Sequence, residues 1–281
     1  MVTIERDEGL AWVARENFSR LGITNVEVVT ADAGDYLART EEHVDWIYAG
    51  PDRRDDKGRR RVLPADCSPD VEALLPLIRR HSTGLCLKLS PLFDVGEALK
   101  LFPRSEVETI SAGGECKEVV VYADGREPRV TATALGRGSY SVPAEEWCGE
   151  LPDVPPCVLE DCRYLVIPDA ALRKSRLVRR HLAAAAWVES ENGYGFAATK
   201  PESGVLGRIF EIRRVMDYEP KRLKREFGGR GCVVHRQEFP LHADEIARRL
   251  GLTAGEEFRL AFTRVAGHSY CIELGKELTD D

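Results

Sequence analysis

The amino-acid sequence predicts an α/β protein, with a parallel, doubly wound sheet in the first 125 residues and smaller α+β modules after it. Two observations lead to this prediction. Helix and strand signals alternate along residues 1–125, which is typical of parallel strands joined by helices. Residues 206–281 then show a strand-helix-strand-helix-strand-strand order, which is typical of a compact α+β module.

The N-terminal elements follow from apolar spacing. Residues 7–21 place apolar side chains at helical intervals, and Gly22 follows as a stop signal. Residues 25–30 alternate as a short strand. Residues 44–49, VDWIYA, form a nearly continuous apolar run. Such a run predicts a parallel strand that is buried on both faces.

The second half of the predicted sheet uses the same signals. Residues 69–80 indicate a helix with proline at its start, and residues 84–89 indicate a second buried strand. Residues 94–101 favour a short helix. Residues 106–110 and 117–122 then predict a pair of strands that completes the domain at residue 125.

The middle of the chain differs in composition. Residues 126–158 are rich in proline and glycine and predict a hairpin, TATAL followed by SYSV, and then a linker. Residues 159–205 predict a small unit whose helix covers roughly residues 168–187, where the alanines have high helix propensity. Residues 206–281 form the last predicted domain.

Composition excludes several classes of protein. Of the 281 residues, 43% are apolar and 31% are charged, as in ordinary globular domains. No apolar run reaches the ~20 residues of a membrane span, and the charged N-terminus lacks a signal-peptide core. The eight cysteines contain no CxxC pair, so we expect reduced thiols, no metal site and a cytoplasmic protein without membrane contact.

Charge is unevenly distributed along the chain. The net charge of −7 argues against a uniformly basic nucleic-acid binder. Residues 1–50 carry ten acidic and four basic side chains, whereas residues 206–236 carry nine basic and four acidic ones. A local basic face can bind phosphate on an acidic protein, because screening limits each charge to about 8–10 Å.

Two acidic residues are candidates for binding a nucleoside. Ligands of doubly wound sheets bind at the carboxyl ends of the strands. Glu5, in IERD, could accept hydrogen bonds from ribose hydroxyls, or it could be a solvated acid. Asp32, in TADAGDYL, could accept a hydrogen bond from an adenine amino group, or it could cap the following helix.

Basic residues after the apolar strands are candidates for phosphate contact, because guanidinium groups match phosphate oxygens. The alternatives are a solvated loop and, for Lys88, an ammonium group that reaches the surface. The helix predicted over residues 219–227 also carries cations, with Glu219 and Glu226 nearby. The candidate RNA-binding residues are Arg53, Arg54, Lys57, Arg59, Lys88, Lys221, Arg222, Lys224 and Arg225.

The segments ERDEGLAWVARENFSRLG and VEVVTADAGDYL resemble the second and third motifs of class I S-adenosylmethionine-dependent methyltransferases. The resemblance implies S-adenosylmethionine as cofactor, with Glu5 at the ribose and Asp32 at the adenine. It places the neighbouring Arg6 and Ala33 in the same cofactor site. The segment YAGPDRR resembles the catalytic motif, which implies catalytic positions at Gly50, Pro51 and Asp52.

More narrowly, RRVLPADCSPDV, LCLKLSPLFD and SAGGECKEVVVY resemble a bacterial group assigned as RNA methyltransferases with a C-terminal THUMP-like domain. YLVIPDAALRKSRL is similar to the ferredoxin-like insert of that group, and GRIFEIRRV, PKRLKREF and FPLHADEIARRLGL are similar to its THUMP-like module. The resemblance implies a Rossmann-like methyltransferase sheet followed by these two α+β modules. The resemblance implies transfer RNA or ribosomal RNA as the partner. Whether the protein forms a homo-oligomer is left open.

The sequence departs from the family in two places. It starts at the second strand of the expected sheet, without the first strand and its Gly-rich turn, so neighbouring strands are expected to lack ladder partners. Truncation, rearrangement or completion by another chain would each account for this N-terminally incomplete sheet. Relatives have aspartate where this chain has Gly50. Asp52 is the candidate replacement for that carboxylate.

The resemblance implies direct displacement of an activated methyl group by an aligned nucleobase amine. Backbone groups around Ala49, Gly50 and Pro51 could orient the amine. Tyr48 could stack on a base, although burial in the strand is the reading that we favour. A non-catalytic RNA-binding protein is the alternative function. A nicotinamide-dependent oxidoreductase is disfavoured, because the sequence contains no GxGxxG.

Overall fold

The computed structural model describes most of the chain, and the described part divides into two compact units. The described residues are 1–51, 68–153, 158–201 and 204–278. The first unit contains Met1–Val107 and Glu118–Glu127, and the second contains Glu108–Lys117 and Pro128–Asp281. Each unit is described by itself below.

The described strands, in chain order, are β1 (Val2–Glu5), β2 (Glu27–Thr30), β3 (Val44–Ala49), β4 (Ser82–Leu89), β5 (Glu106–Ala112), β6 (Glu115–Ala123), β7 (Arg129–Ala134), β8 (Gly138–Pro143), β9 (Tyr164–Pro168), β10 (Gly195–Ala197), β11 (Gly207–Asp217), β12 (Gly231–Arg236), β13 (Thr253–Val265) and β14 (His268–Leu278). The helices are α1 (Glu8–Arg20), α2 (Ala33–Arg39), α3 (Val71–His81), α4 (Val95–Leu101), α5 (Ala144–Cys148), α6 (Ala170–Ser175), α7 (Val178–Leu182), α8 (Pro220–Phe227) and α9 (Ala243–Leu250).

Aspartate side chains start five of these helices. In each case the carboxylate accepts a hydrogen bond from a backbone N–H group in the first turn, which satisfies a donor that has no partner inside the helix. The capping residues of α1, α2, α3, α4 and α6 are Asp7, Asp32, Asp70, Asp94 and Asp169.

The strands of the first unit form two separate groups. β1 pairs with β2 in parallel, β3 pairs with β4 in parallel, and β4 pairs with β6 in antiparallel orientation. Within the described ranges, β1 pairs only with β2 and β3 only with β4. Among the described strands, β1 and β3 thus each have one edge without a strand partner.

The predicted burial of residues 44–49 on both faces is wrong. In β3 the side chain of Val44 is 40% exposed and that of Trp46 is 43% exposed, and Tyr48 reaches 65%. An apolar run shows that a strand is suited to burial, but it does not show which neighbours cover the strand. β3 has a described strand neighbour on one side only. β4 does match its predicted burial, since Leu85 and Leu87 are almost fully enclosed.

The second unit contains a hairpin and a six-stranded sheet. β7 and β8 form the antiparallel hairpin predicted from TATAL and SYSV. The sheet has the order β10-β9-β11-β14-β13-β12, in which β12 and β13 are parallel and the other neighbours are antiparallel. Leu223 and Phe227 of α8 and Ile246 of α9 pack into the core beside this sheet. None of the helices in the described ranges is long and apolar enough to cross a membrane.

The single helix predicted over residues 168–187 is wrong. Pro168 ends β9, and the chain then forms two short helices, α6 and α7. Arg176, directly after α6, has a left-handed backbone with a φ of 58°. The indole Nε1 of Trp147 donates a 2.6 Å hydrogen bond to the carbonyl of Ser175 at this break. The left-handed backbone of Arg176 ends α6. The helix is interrupted there in spite of the high helix propensity of the alanines that follow.

Candidate functional site

The two candidate cofactor acids lie at one edge of the β1–β2 pair. Glu5 is the last residue of β1, and its partner in the parallel register is Thr30, the last residue of β2. The backbone N–H of Ala31 donates a 3.1 Å hydrogen bond to the carbonyl of Glu5. Asp32 follows directly and caps α2. The carboxyl ends of two neighbouring parallel strands thus carry both acids, as expected.

Each acid uses one carboxylate oxygen locally. Oδ1 of Asp32 accepts hydrogen bonds from the N–H groups of Gly34, at 2.8 Å, and Asp35, at 3.3 Å. Oε1 of Glu5 accepts a 2.8 Å hydrogen bond from the N–H of Asp7. No residue in the described part of the chain donates to the other oxygen of either side chain. Asp32 is therefore a helix cap that keeps one acceptor available.

The neighbours of these acids are placed by the same elements. Arg6 is exposed directly after β1, and its Nη1 donates a 3.0 Å hydrogen bond to the hydroxyl of Ser68. Ala33 is the first residue of α2. A Cβ atom on Gly34 would lie 3.1 Å from Leu74 Cδ2, so the start of α2 packs closely against α3.

The predicted catalytic position follows β3 directly. Gly50 is exposed and Pro51 is buried. A Cβ atom on Gly50 would lie 3.1 Å from the hydroxyl oxygen of Tyr48, so this phenol covers the glycine. The burial that we favoured for Tyr48 is wrong, because the side chain is 65% exposed. Its ring is available for stacking.

The basic loop after Pro51 lies outside the described residues. Its phosphate contacts and the catalytic role of the first of its residues stay predictions. The predicted site residues concerned are Asp52, Arg53, Arg54, Lys57 and Arg59.

Lys88 has an acidic neighbour. It lies near the carboxyl end of β4, and its Nζ forms a 2.7 Å ion pair with Oε2 of Glu118 on the adjacent β6. The Lys88 side chain is 42% exposed. An RNA phosphate at Lys88 would have to compete with this carboxylate, so its predicted RNA contact stays a prediction.

The basic face of α8 consists of Lys221, Arg222, Lys224 and Arg225, all of which are exposed. At 100° per residue these four positions cover an arc of about 160°, and the buried Leu223 points to the opposite side. No described carboxylate pairs with any of the four. The nearby Glu226 instead pairs with Arg214 of β11.

Sequence reasoning missed one polar cluster in the second unit. Arg137, Arg173 and Arg236 border a common cavity of about 560 Å³. The three arginines lie in three separate segments, each of which looks like ordinary surface in the sequence. Tertiary packing of the turn after β7, of α6 and of the end of β12 brings them together, so a local motif could not have revealed the cluster.

Comparisons with known proteins bear on both units. Residues 207–276 match the THUMP domain-like family. The chain is also similar to the crystal structure of a "putative methyltransferase" from Porphyromonas gingivalis W83, with 24% identity and a TM-score of 0.79, over 98% of this chain and 71% of that one. The chain has the fold of that structure, and it carries a THUMP-like domain over residues 207–276.

Two further comparisons add nothing to this assignment. The high-resolution crystal structure of WbdD aligns at 11% identity over 98% of this chain and 51% of that one, with a TM-score of 0.31, which is too low to indicate a shared fold. No curated protein matches the sequence. The predicted fold class and THUMP-like module are confirmed, whereas the ferredoxin-like insert over residues 159–205 stays a prediction.

Proposed function

We propose that this protein is an S-adenosylmethionine-dependent methyltransferase that acts on RNA, with tRNA or rRNA as the substrate class and the cytoplasm as its location. The observation that supports the proposal most is the combination of a methyltransferase fold, aligned over 98% of the chain, with a THUMP-like domain. The similar structure suggests methyl transfer, and the THUMP-like domain suggests RNA.

The residues at the β1–β2 edge fit the nucleoside part of the cofactor. Ribose hydroxyls and the adenine amino group are hydrogen-bond donors, and Glu5 and Asp32 each keep one carboxylate oxygen without a described partner. Arg6 and Ala33 would border the same nucleoside. When bound, the cofactor supplies a methyl group that its sulfonium has already activated. The protein then has to hold the nucleoside and align the acceptor amine.

The segment after β3 would orient the acceptor. Backbone carbonyls around Gly50 and Pro51 can accept hydrogen bonds from an exocyclic amine, and Asp52 is the nearest carboxylate in sequence. The exposed ring of Tyr48 offers a stacking surface for a base that has left its helix. RNA phosphates would contact the basic face of α8, which holds the strand without reading its sequence.

Two observations favour a second function, RNA binding without methyl transfer. Gly50 has no side chain with which to hold an amine, and within the described ranges β1 and β3 each lack one strand partner. A protein with half of a cofactor site could retain the RNA contacts alone. Transfer of a labelled methyl group from S-adenosylmethionine to RNA would eliminate this alternative.

Cofactor binding is tested by isothermal titration with S-adenosylmethionine, using Glu5→Gln and Asp32→Asn. Both variants keep the local acceptor oxygen, and asparagine still caps a helix, so folding should be preserved. Each is expected to weaken binding about tenfold, since a hydrogen bond to a charged acceptor is lost. Asp35→Asn, on the first turn of α2, is the matched control. Equal affinity in all three proteins would contradict the assigned cofactor site.

Gly50→Asp tests the catalytic segment. The new Cβ requires Tyr48 to shift by a few tenths of an ångström, which its exposure permits. If the nucleoside site functions, the added carboxylate should raise the rate of methyl transfer without changing cofactor affinity. A rate that stays at background, with cofactor bound, would favour the RNA-binding alternative.

A further inference from the structure

The cavity in the second unit combines residues from six segments. Its volume of about 560 Å³ lies in the range of small-molecule sites. Gly113, Leu135 and Arg137 are exposed at its mouth, whereas Asp169 and Tyr194 are buried in its wall. All of the lining residues belong to the second unit.

The lining carries an excess of positive charge, with four arginines and one aspartate. Arg208 is neutralised, since its guanidinium forms a two-pronged ion pair with Glu277 at 2.7 and 2.6 Å. Asp169 is also occupied, because its Oδ1 accepts hydrogen bonds from the Ser111 hydroxyl and the Ala171 N–H.

The other three guanidinium groups contact only neutral acceptors. Arg137 donates to the carbonyl of Gly207 at 3.0 Å, and Arg236 donates to the carbonyl of Phe239 at 3.1 Å. Arg173 donates to the amide oxygen of Gln237 at 3.2 Å. Within the described ranges no carboxylate pairs with these three arginines, so each cation still has donors to offer.

Several buried polar atoms of the lining have no hydrogen-bond partner among the described residues. They are Nε of Arg173, the hydroxyl of Tyr194 and Nε2 of His235. Tyr194 is only 2% exposed, and burial raises the pKa of its hydroxyl, so the group is a donor at neutral pH. Unsatisfied buried groups are costly, and several around one cavity indicate a missing acceptor.

We infer that this cavity binds a phosphate group of an RNA strand. A phosphate offers several strong acceptor oxygens and a negative charge that guanidinium forks match closely. The Tyr194 hydroxyl and the Arg173 Nε–H supply donors from the wall, and Arg236 supplies charge nearer to solvent. The inference deepens the proposed function, and it rests on that function for RNA as the carrier of the phosphate.

The test measures anisotropy of a labelled single-stranded RNA in a salt series, without S-adenosylmethionine. Arg173→Gln and Arg236→Gln should each weaken binding about tenfold and lower the salt slope by about 0.7. Arg264→Gln is the matched control, because Arg264 is an exposed arginine that also donates to a backbone carbonyl, that of Gly267. Unchanged affinity and slope in both cavity variants would overturn the inference.

Tyr194→Phe keeps the test independent of folding. The lost hydroxyl has no described partner, so the melting temperature should not fall, whereas RNA affinity should. A second titration uses inorganic phosphate. If the variants lose phosphate binding but keep RNA binding, a small phosphate compound is the ligand and RNA as carrier is refuted. Since the cofactor is absent throughout, failure here is distinguishable from failure of methyl transfer.

Discussion

The basic face of α8 allows a quantitative test of RNA binding. The perturbation is the joint replacement of its four cations by glutamine. Each phosphate contact on a single strand contributes about 0.7 to the slope of log K against log salt, so four lost contacts lower the slope by about 3. At about 0.15 M salt the same change corresponds to roughly 200-fold weaker binding. The replaced residues are Lys221, Arg222, Lys224 and Arg225.

The assay is fluorescence anisotropy with a single-stranded RNA between low and physiological salt. Folding should be retained, because Leu223 and Phe227, which anchor α8, are unchanged. The control removes an equal number of exposed cations from other helices and strands, and it should leave the slope within error. A slope in the α8 variant equal to that of the parent protein would show that this face is merely solvated. The control positions are Arg20, Arg39, Arg248 and Lys276.

Three further predictions concern folding and reactivity. Gly84→Ala would place a Cβ 2.8 Å from the indole of Trp46, so the free energy of unfolding should fall by about 1–3 kcal/mol; an unchanged urea midpoint would contradict this. Burial and nearby arginines lower the pKa of His235 to about 4. The unfolded chain therefore binds more protons between pH 6.5 and 4, and stability should drop as pH falls through that window. Urea titrations should show a smaller drop for His235→Gln, although burial also lowers the pKa of His181, and an unchanged drop would refute the role of His235. Burial raises the pKa of Cys232 to about 11, so iodoacetamide at pH 8 should modify the exposed Cys148 first, and equal rates in peptide mapping would refute this.

Much of the fold could be predicted because its local signals agree with its tertiary contacts. The helix predicted over residues 219–227 is observed as α8, and the helix predicted over residues 94–101 is observed as α4. In both segments the apolar residues that set the pattern are the ones that enter the core. The starts of α2 and α4 could also be predicted, because an aspartate cap accepts hydrogen bonds from N–H groups in the first turn of its helix.

Predictions that depended on distant neighbours were wrong. The apolarity of residues 44–49 could not reveal that β3 has a described partner on one side only. The break at Arg176 depends on a left-handed residue and on Trp147, which lies almost thirty positions away in sequence. The placement of the two candidate cofactor acids could be predicted, because it depends on neighbouring strands and not on distant contacts. Glu5 ends β1 and Asp32 lies two residues after the end of β2, and the parallel pairing of these two strands brings their carboxyl ends together.

Among the described strands, β1 and β3 each keep one edge of unpaired backbone N–H and carbonyl groups, and such an edge can accept an extended peptide as an added strand. Backbone N–H and carbonyl groups carry no side-chain identity, so strand complementation in trans requires only shape and an apolar lining. Exposed Trp12 and Trp46 supply apolar surface on this unit. We expect copies of the protein to associate through these edges at high concentration, and a β-forming peptide added in excess should compete with that association.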